Sequence, residues 1–115
     1  LTNNMVLCYT GNPRQSGINN WEVMKKALDR DRSVVKKLKN IAQISKDMDK
    51  ALLKGQINKV TTLFAREWLE RKLLAPNIST RYMDKLILGA MQQGAKAAKV
   101  CGAGGGVRGV TIAPR

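Results

Sequence analysis

The residues of this chain best placed to do chemistry lie in its last twenty positions, Lys96 to Arg115, KAAKVCGAGGGVRGVTIAPR. A short apolar run, Ala97, Ala98, Val100 and Cys101, leads into glycines at 102, 104, 105, 106 and 109, and a β-prone run, Val110, Thr111 and Ile112, leads out before Pro114. Each glycine held in one conformation costs about 0.5–1 kcal/mol more than alanine would, so five place a burden of about 3–5 kcal/mol on the fold. Positive φ and a bare backbone whose N–H donors an anionic group can approach closely are the usual compensations. Gly104, Gly106 and Gly109 satisfy G-x-G-x-x-G, but a dinucleotide fingerprint needs a helix after the glycines and a later acidic residue, whereas a strand follows here. A phosphate loop of the G-x-x-x-x-G-K-[ST] kind fails as well, because no Lys-Ser or Lys-Thr pair follows. Spacing alone leaves an anion cradle and a tight hairpin connection both open. A second candidate group stands near the start of the chain: Thr10, Gly11 and Arg14 follow the apolar run Met5 to Tyr9, and an arginine at the mouth of a strand holds a phosphate or carboxylate as readily as it sits idle in a loop.

Composition narrows the chemistry. The chain has 115 residues and no histidine, which excludes Cys/His and Ser/His catalysis and ordinary zinc sites. Its two cysteines, Cys8 and Cys101, each lie inside a strand-like apolar run and read as small buried hydrophobes rather than as a disulfide. Hydrophobic residues make up 43% and aromatics 4%, so one domain with an aliphatic core is expected. No run approaches a membrane span and no charged, then apolar, leader opens the sequence, so a soluble cytoplasmic protein with no membrane partner is expected. Twenty-one basic residues against eight acidic ones give a net charge of +13. That field attracts polyanions, and a small basic nucleic-acid-binding module is one reading; small phosphorylated ligands gain from it equally. The lysines and arginines are spread along the chain without aromatic platforms between them, which favours solvated helix faces.

The elements that must position these residues follow from pattern. Met5 to Tyr9 reads as a buried strand ending in a Thr10-Gly11-Asn12-Pro13 turn. Ser16 or an asparagine can cap a short helix over Ile18 to Leu28 carrying Ile18, Trp21, Val23, Met24 and Leu28. From Asp31 to Leu53 the period is helical, with Val34, Leu38, Ile41, Ser45, Met48 and Leu52 on one stripe, and Gly55 closes it. A helix over Ile57 to Leu73 places Ile57, Val60, Phe64 and Trp68 on one face before Pro76. Asn77 to Thr80 forms a turn and cap, and the next helix carries Met83, Leu86, Ile87, Ala90 and Met91 inward before Gly94. Strands flanking a block of helices argue for an α+β fold with helices on one face of a small sheet.

The run Lys99-Val100-Cys101-Gly102-Ala103-Gly104-Gly105-Gly106 resembles the third conserved motif of the GHMP kinases, the superfamily of galactokinase, homoserine kinase, mevalonate kinase and phosphomevalonate kinase. Leu7 to Gly11 with Arg14 and Ser16, Gly17 to Glu22, and Pro76 to Thr80 look like the C-terminal half of the sugar kinase branch, near heptose 7-phosphate kinase. The resemblance implies that residues 1–115 form a ferredoxin-like C-terminal domain, a small antiparallel sheet with helices packed on one face. It implies that Gly102, Ala103, Gly104, Gly105 and Gly106 line the phosphoryl-transfer cleft, and that Thr10, Gly11 and Arg14 contact a sugar or its phosphate. ATP and Mg would come through an N-terminal half carrying the nucleotide loop. That loop is not in these residues, and Val107 and Arg108 depart from the family pattern. The expectation is therefore a fragment, inactive alone, with no catalytic or metal-binding residue of its own, partnered by the missing half or by itself across an open sheet edge. A third reading is a non-catalytic dimerising domain.

Overall fold

Aspartate or threonine at the start, and glycine just past the end, set the limits of two of the four helices. In the computed structural model, which describes residues 2–11, 17–101 and 108–112, a 3₁₀ turn over Thr2–Asn4 leads into β1 (Met5–Cys8). Four helices follow, α1 (Gly17–Leu28), α2 (Arg32–Leu53), α3 (Ile57–Lys72) and α4 (Arg81–Gln92), and then β2 (Ala97–Cys101) and β3 (Arg108–Ile112). The Asp31 carboxylate accepts from the Val34 amide at 3.1 Å and the Thr80 hydroxyl from the Met83 amide at 3.2 Å, each satisfying an otherwise orphaned first-turn N–H. Past the C-termini of α2 and α4 the backbone turns through positive φ at Gly55 (64°) and Gly94 (99°), the left-handed stop that glycine allows. The expected helix limits thus agree closely with the observed ones; Ser16 lies outside the described residues.

The fold is α+β. The three strands form one antiparallel sheet in the order β1-β3-β2, with Met5 and Ala97 both opposite Ile112, and Cys8 and Val100 both opposite Gly109. β1 and β2 therefore run in the same direction on either side of β3. Alternation along the strands puts Val6, Cys8, Ala98 and Val100 on one side, where α4 lies, and Met5 and Lys99 on the other, where α2 and α3 lie. β2 is flanked closely enough that Ala97, Ala98 and Val100 are all buried.

Two apolar clusters hold the helices. Ile44 and Ala51 of α2 meet Val60 and Leu63 of α3, while Val34, Trp68, Leu74, Ala75, Ile78, Met83 and Val100 join α2, α3, α4 and β2. The α2 stripe is displaced from the expected one: Ile44 and Ala51 are buried where Ser45 and Leu52 were expected, because α3 crosses α2 over the neighbouring row of side chains. β1 is not a buried strand. It forms the sheet edge away from β2, and Val6, Leu7 and Tyr9 remain 59%, 58% and 63% exposed. Cys8 is exposed for the same reason, contrary to its reading as a buried hydrophobe, whereas Cys101 is half-buried. Trp21, Met24 and Leu28 of α1, and Leu86 and Met91 of α4, are also exposed; Val23 and Ala27 of α1 pack against the core. The Asn19 side-chain amide ties α1 to the turn before α4 by donating to the Asn77 carbonyl at 3.0 Å. Among the described residues no helix is long and apolar enough to cross a membrane.

Candidate functional site

The strand register decides which of the candidate residues can meet. β1 and β2 both pair antiparallel with β3, so they end at the same end of the sheet: Cys8 and Val100 sit on either side of Gly109. The Thr10-Gly11 turn leaves β1 and the glycine-rich segment leaves β2 at that end. Gly102, Ala103, Gly104, Gly105, Gly106 and Arg14 themselves lie outside the described residues. Gly11 has φ of 76°, a conformation that strains a residue carrying a Cβ, so the turn after β1 uses its glycine as such.

Thr10 is buried, and among the described residues its hydroxyl oxygen has no hydrogen-bond partner. A buried hydroxyl left in that state costs about 1–3 kcal/mol, which makes it a candidate contact for a ligand. Thr10 also closes one end of a cavity of about 320 Å³ between the sheet and α4, whose walls include Val6, Ile87, Ala90 and Val100. The cavity is overwhelmingly apolar, which suits a hydrocarbon surface rather than a phosphate.

On the opposite side of the sheet stands a charged cluster. The Lys99 ammonium of β2 donates to one oxygen of Glu67 and the Arg71 guanidinium donates through Nε to the other. Glu67 is buried, and Lys99 also lies 5.5 Å from the centroid of the Phe64 ring, within reach of a cation–π contact. The sequence conceals this cluster. Glu67 and Arg71 are four residues apart on a helix and read as an ordinary surface pair; the one signal is Lys99, a lone charge inside the strand Ala97–Cys101. Burial pushes the thiol pKa of neighbouring Cys101 up; the Lys99 charge pulls it down, and Glu67 adds to the rise.

Among the described residues no three cysteine, aspartate or glutamate side chains stand together as a metal site.

No model of a known protein family matches the sequence, and a search of curated proteins finds no match. Solved structures do match in shape. The L. major mevalonate kinase, in complex with R-mevalonate, superposes with a TM-score of 0.85 at 21% identity, over 96% of this chain and 33% of that one. A Lin0012 protein from Listeria innocua superposes with a TM-score of 0.86 at 19% identity, over 96% of this chain and 32% of that one. The likeness establishes the fold: this chain has the architecture of about one third of each of these proteins.

Proposed function

We propose that residues 1–115 are the C-terminal domain of a GHMP-type kinase that phosphorylates a small alcohol such as a sugar or sugar phosphate, and that its sheet is the ferredoxin-like sheet of that domain. The observation that carries this reading is the match of nearly the whole chain to one third of a mevalonate kinase. The motif resemblance over Lys99 to Gly106 supports it independently, as does the register that ends β1 and β2, the strands that precede Thr10 and Gly102 in sequence, at the same end of the sheet.

Phosphoryl transfer is chiefly positioning and charge neutralisation. In this reading Gly102, Ala103, Gly104, Gly105 and Gly106 present backbone N–H donors to the phosphoryl group or the phospho-acceptor. Thr10 supplies a hydroxyl that the described fold leaves unpartnered, Gly11 keeps the turn beside it open, and Arg14 pairs with an anionic group on the ligand. ATP would supply the phosphoryl group and magnesium would screen its charge, both held by a nucleotide-binding half outside these residues. The chain alone is accordingly expected to turn nothing over.

The reading is tested by the coding sequence immediately upstream of Leu1 and by the protein that includes it. An in-frame segment of the G-L-G-S-S-A kind is expected, with ADP release dependent on an alcohol acceptor. Gly106→Val in that protein should lower the turnover by about a hundredfold or more, since a branched side chain closes the approach to backbone donors worth that much in transition-state charge. A longer protein with no such segment and no acceptor-dependent ADP release overturns it.

One observation favours a second reading, a self-associating domain. Among the described residues β1 is an edge strand with apolar side chains exposed on both its sides, and such edges pair with other strands unless blocked.

A further inference from the structure

A second cleft, of about 380 Å³, opens on the Lys99 side of the sheet. Ile44 and Val60, both buried, form its floor, and Met48, Leu52 and Phe64 form walls that remain partly or wholly exposed. Glu67, Arg71 and Lys99 close one end. The single carboxylate engages both cations, so the cluster keeps one unit of positive charge. It also keeps donors: among the described residues Arg71 uses only Nε, leaving both terminal NH₂ groups of a side chain that is 37% exposed, and Lys99 spends one N–H of three. A trough with hydrocarbon walls and one surplus cationic fork at its end is the shape that an amphiphile with an anionic head requires. A monovalent head neutralises the surplus charge, whereas a dianionic phosphate would leave net negative charge in a half-buried site.

We propose that this cleft binds an amphiphilic carboxylate, its hydrocarbon chain lying between Met48, Leu52 and Phe64 and its head seated on Arg71 and Lys99. The assignment goes beyond the kinase reading and does not rest on it, since the cleft and its ion cluster are argued from Glu67, Arg71 and Lys99 side-chain contacts and not from the glycine segment.

The test is titration of the 115-residue chain with sodium decanoate and, separately, with 1-decanol, followed by backbone amide NMR shifts and calorimetry. Decanoate is expected to shift the amides of Val60, Phe64 and Lys99 and to bind at least about tenfold more tightly than decanol, the difference that charge-assisted hydrogen bonds to the head provide. Arg71→Met should weaken decanoate by about tenfold or more and leave decanol unchanged. Lys85→Met, which removes the same charge from an exposed position on α4, should change decanoate binding by less than about twofold. Met48→Trp, which fills the trough, should abolish binding of both probes and keeps the test decisive if Arg71→Met fails to fold. Decanoate causing no shift at these amides, decanol binding as well as decanoate, equal losses in Arg71→Met and Lys85→Met, or unimpaired binding by Met48→Trp would each overturn the assignment.

Discussion

Lys99 carries its charge into the middle of a strand whose other members, Ala97, Ala98, Val100 and Cys101, are apolar, and the fold answers it with Glu67 from a helix 32 residues away. Removing one member of such a buried pair strands the other: Glu67→Leu is expected to lower stability by about 3 kcal/mol in urea denaturation. The double variant Glu67→Leu/Lys99→Met should recover most of that loss, because the charge that then remains, on Arg71, belongs to a side chain that is 37% exposed and can be solvated. The cysteines offer a second check. Burial raises the Cys101 pKa, so its contribution to stability is complete below the unfolded thiol pKa and is lost as the pH climbs through the higher folded value. Cys101→Ala should flatten the alkaline limb of the stability profile, and a thiol reagent should modify exposed Cys8 before Cys101. At this scale the sequence was a partial guide. It marked Thr10, whose buried hydroxyl lacks a partner among the described residues, but it hid Glu67, because an i,i+4 acid–base pair looks alike on a solvated face and over a core.

Helix limits were the most legible elements, since caps are local chemistry. Asp31 and Thr80 each satisfy an amide three residues on, and Gly55 and Gly94 each adopt the left-handed conformation that ends a helix. Thr80→Ala should cost about 1 kcal/mol by leaving the Met83 amide unsatisfied, read as a lower denaturation midpoint at unchanged slope. Gly94→Ala should cost about as much through backbone strain alone, because a Cβ at Gly94 would meet no atom within 4 Å. Which side chains each helix buries was less legible. Helical period selects a stripe to within about one position, and the choice between Ile44 and Ser45, or between Ala51 and Leu52, is made by the crossing of α2 and α3, which no local pattern records. Trp21, Met24 and Leu28 mark the same limit: an apolar stripe states what a helix could bury, and α1 leaves these three exposed while Val23 and Ala27 pack against the core.

For the molecule as a whole, the α+β class followed from element order, while the strand order did not, because apolar runs carry no record of their neighbours. Reading Met5 to Tyr9 as buried assumed strands on both sides, and among the described residues β1 has one, β3. A lysine placed on that edge should discourage pairing between copies: Leu7→Lys is expected to shift any concentration-dependent dimer toward monomer in sedimentation equilibrium, with the circular dichroism spectrum unchanged. The net charge of +13 acts over the whole surface, but no charged residue lies between Leu1 and Pro13, so β1 brings no like charges of its own to a pairing between copies.

β3 lies between two strands made earlier, although it is last of the three in the chain. During synthesis β1 must therefore wait, unpaired, until about a hundred further residues have left the ribosome, whereas α2 and α3 are adjacent in sequence and can dock as soon as both have emerged. The helical pair would be the first part of this molecule to resist a protease on a nascent chain, and the sheet the last.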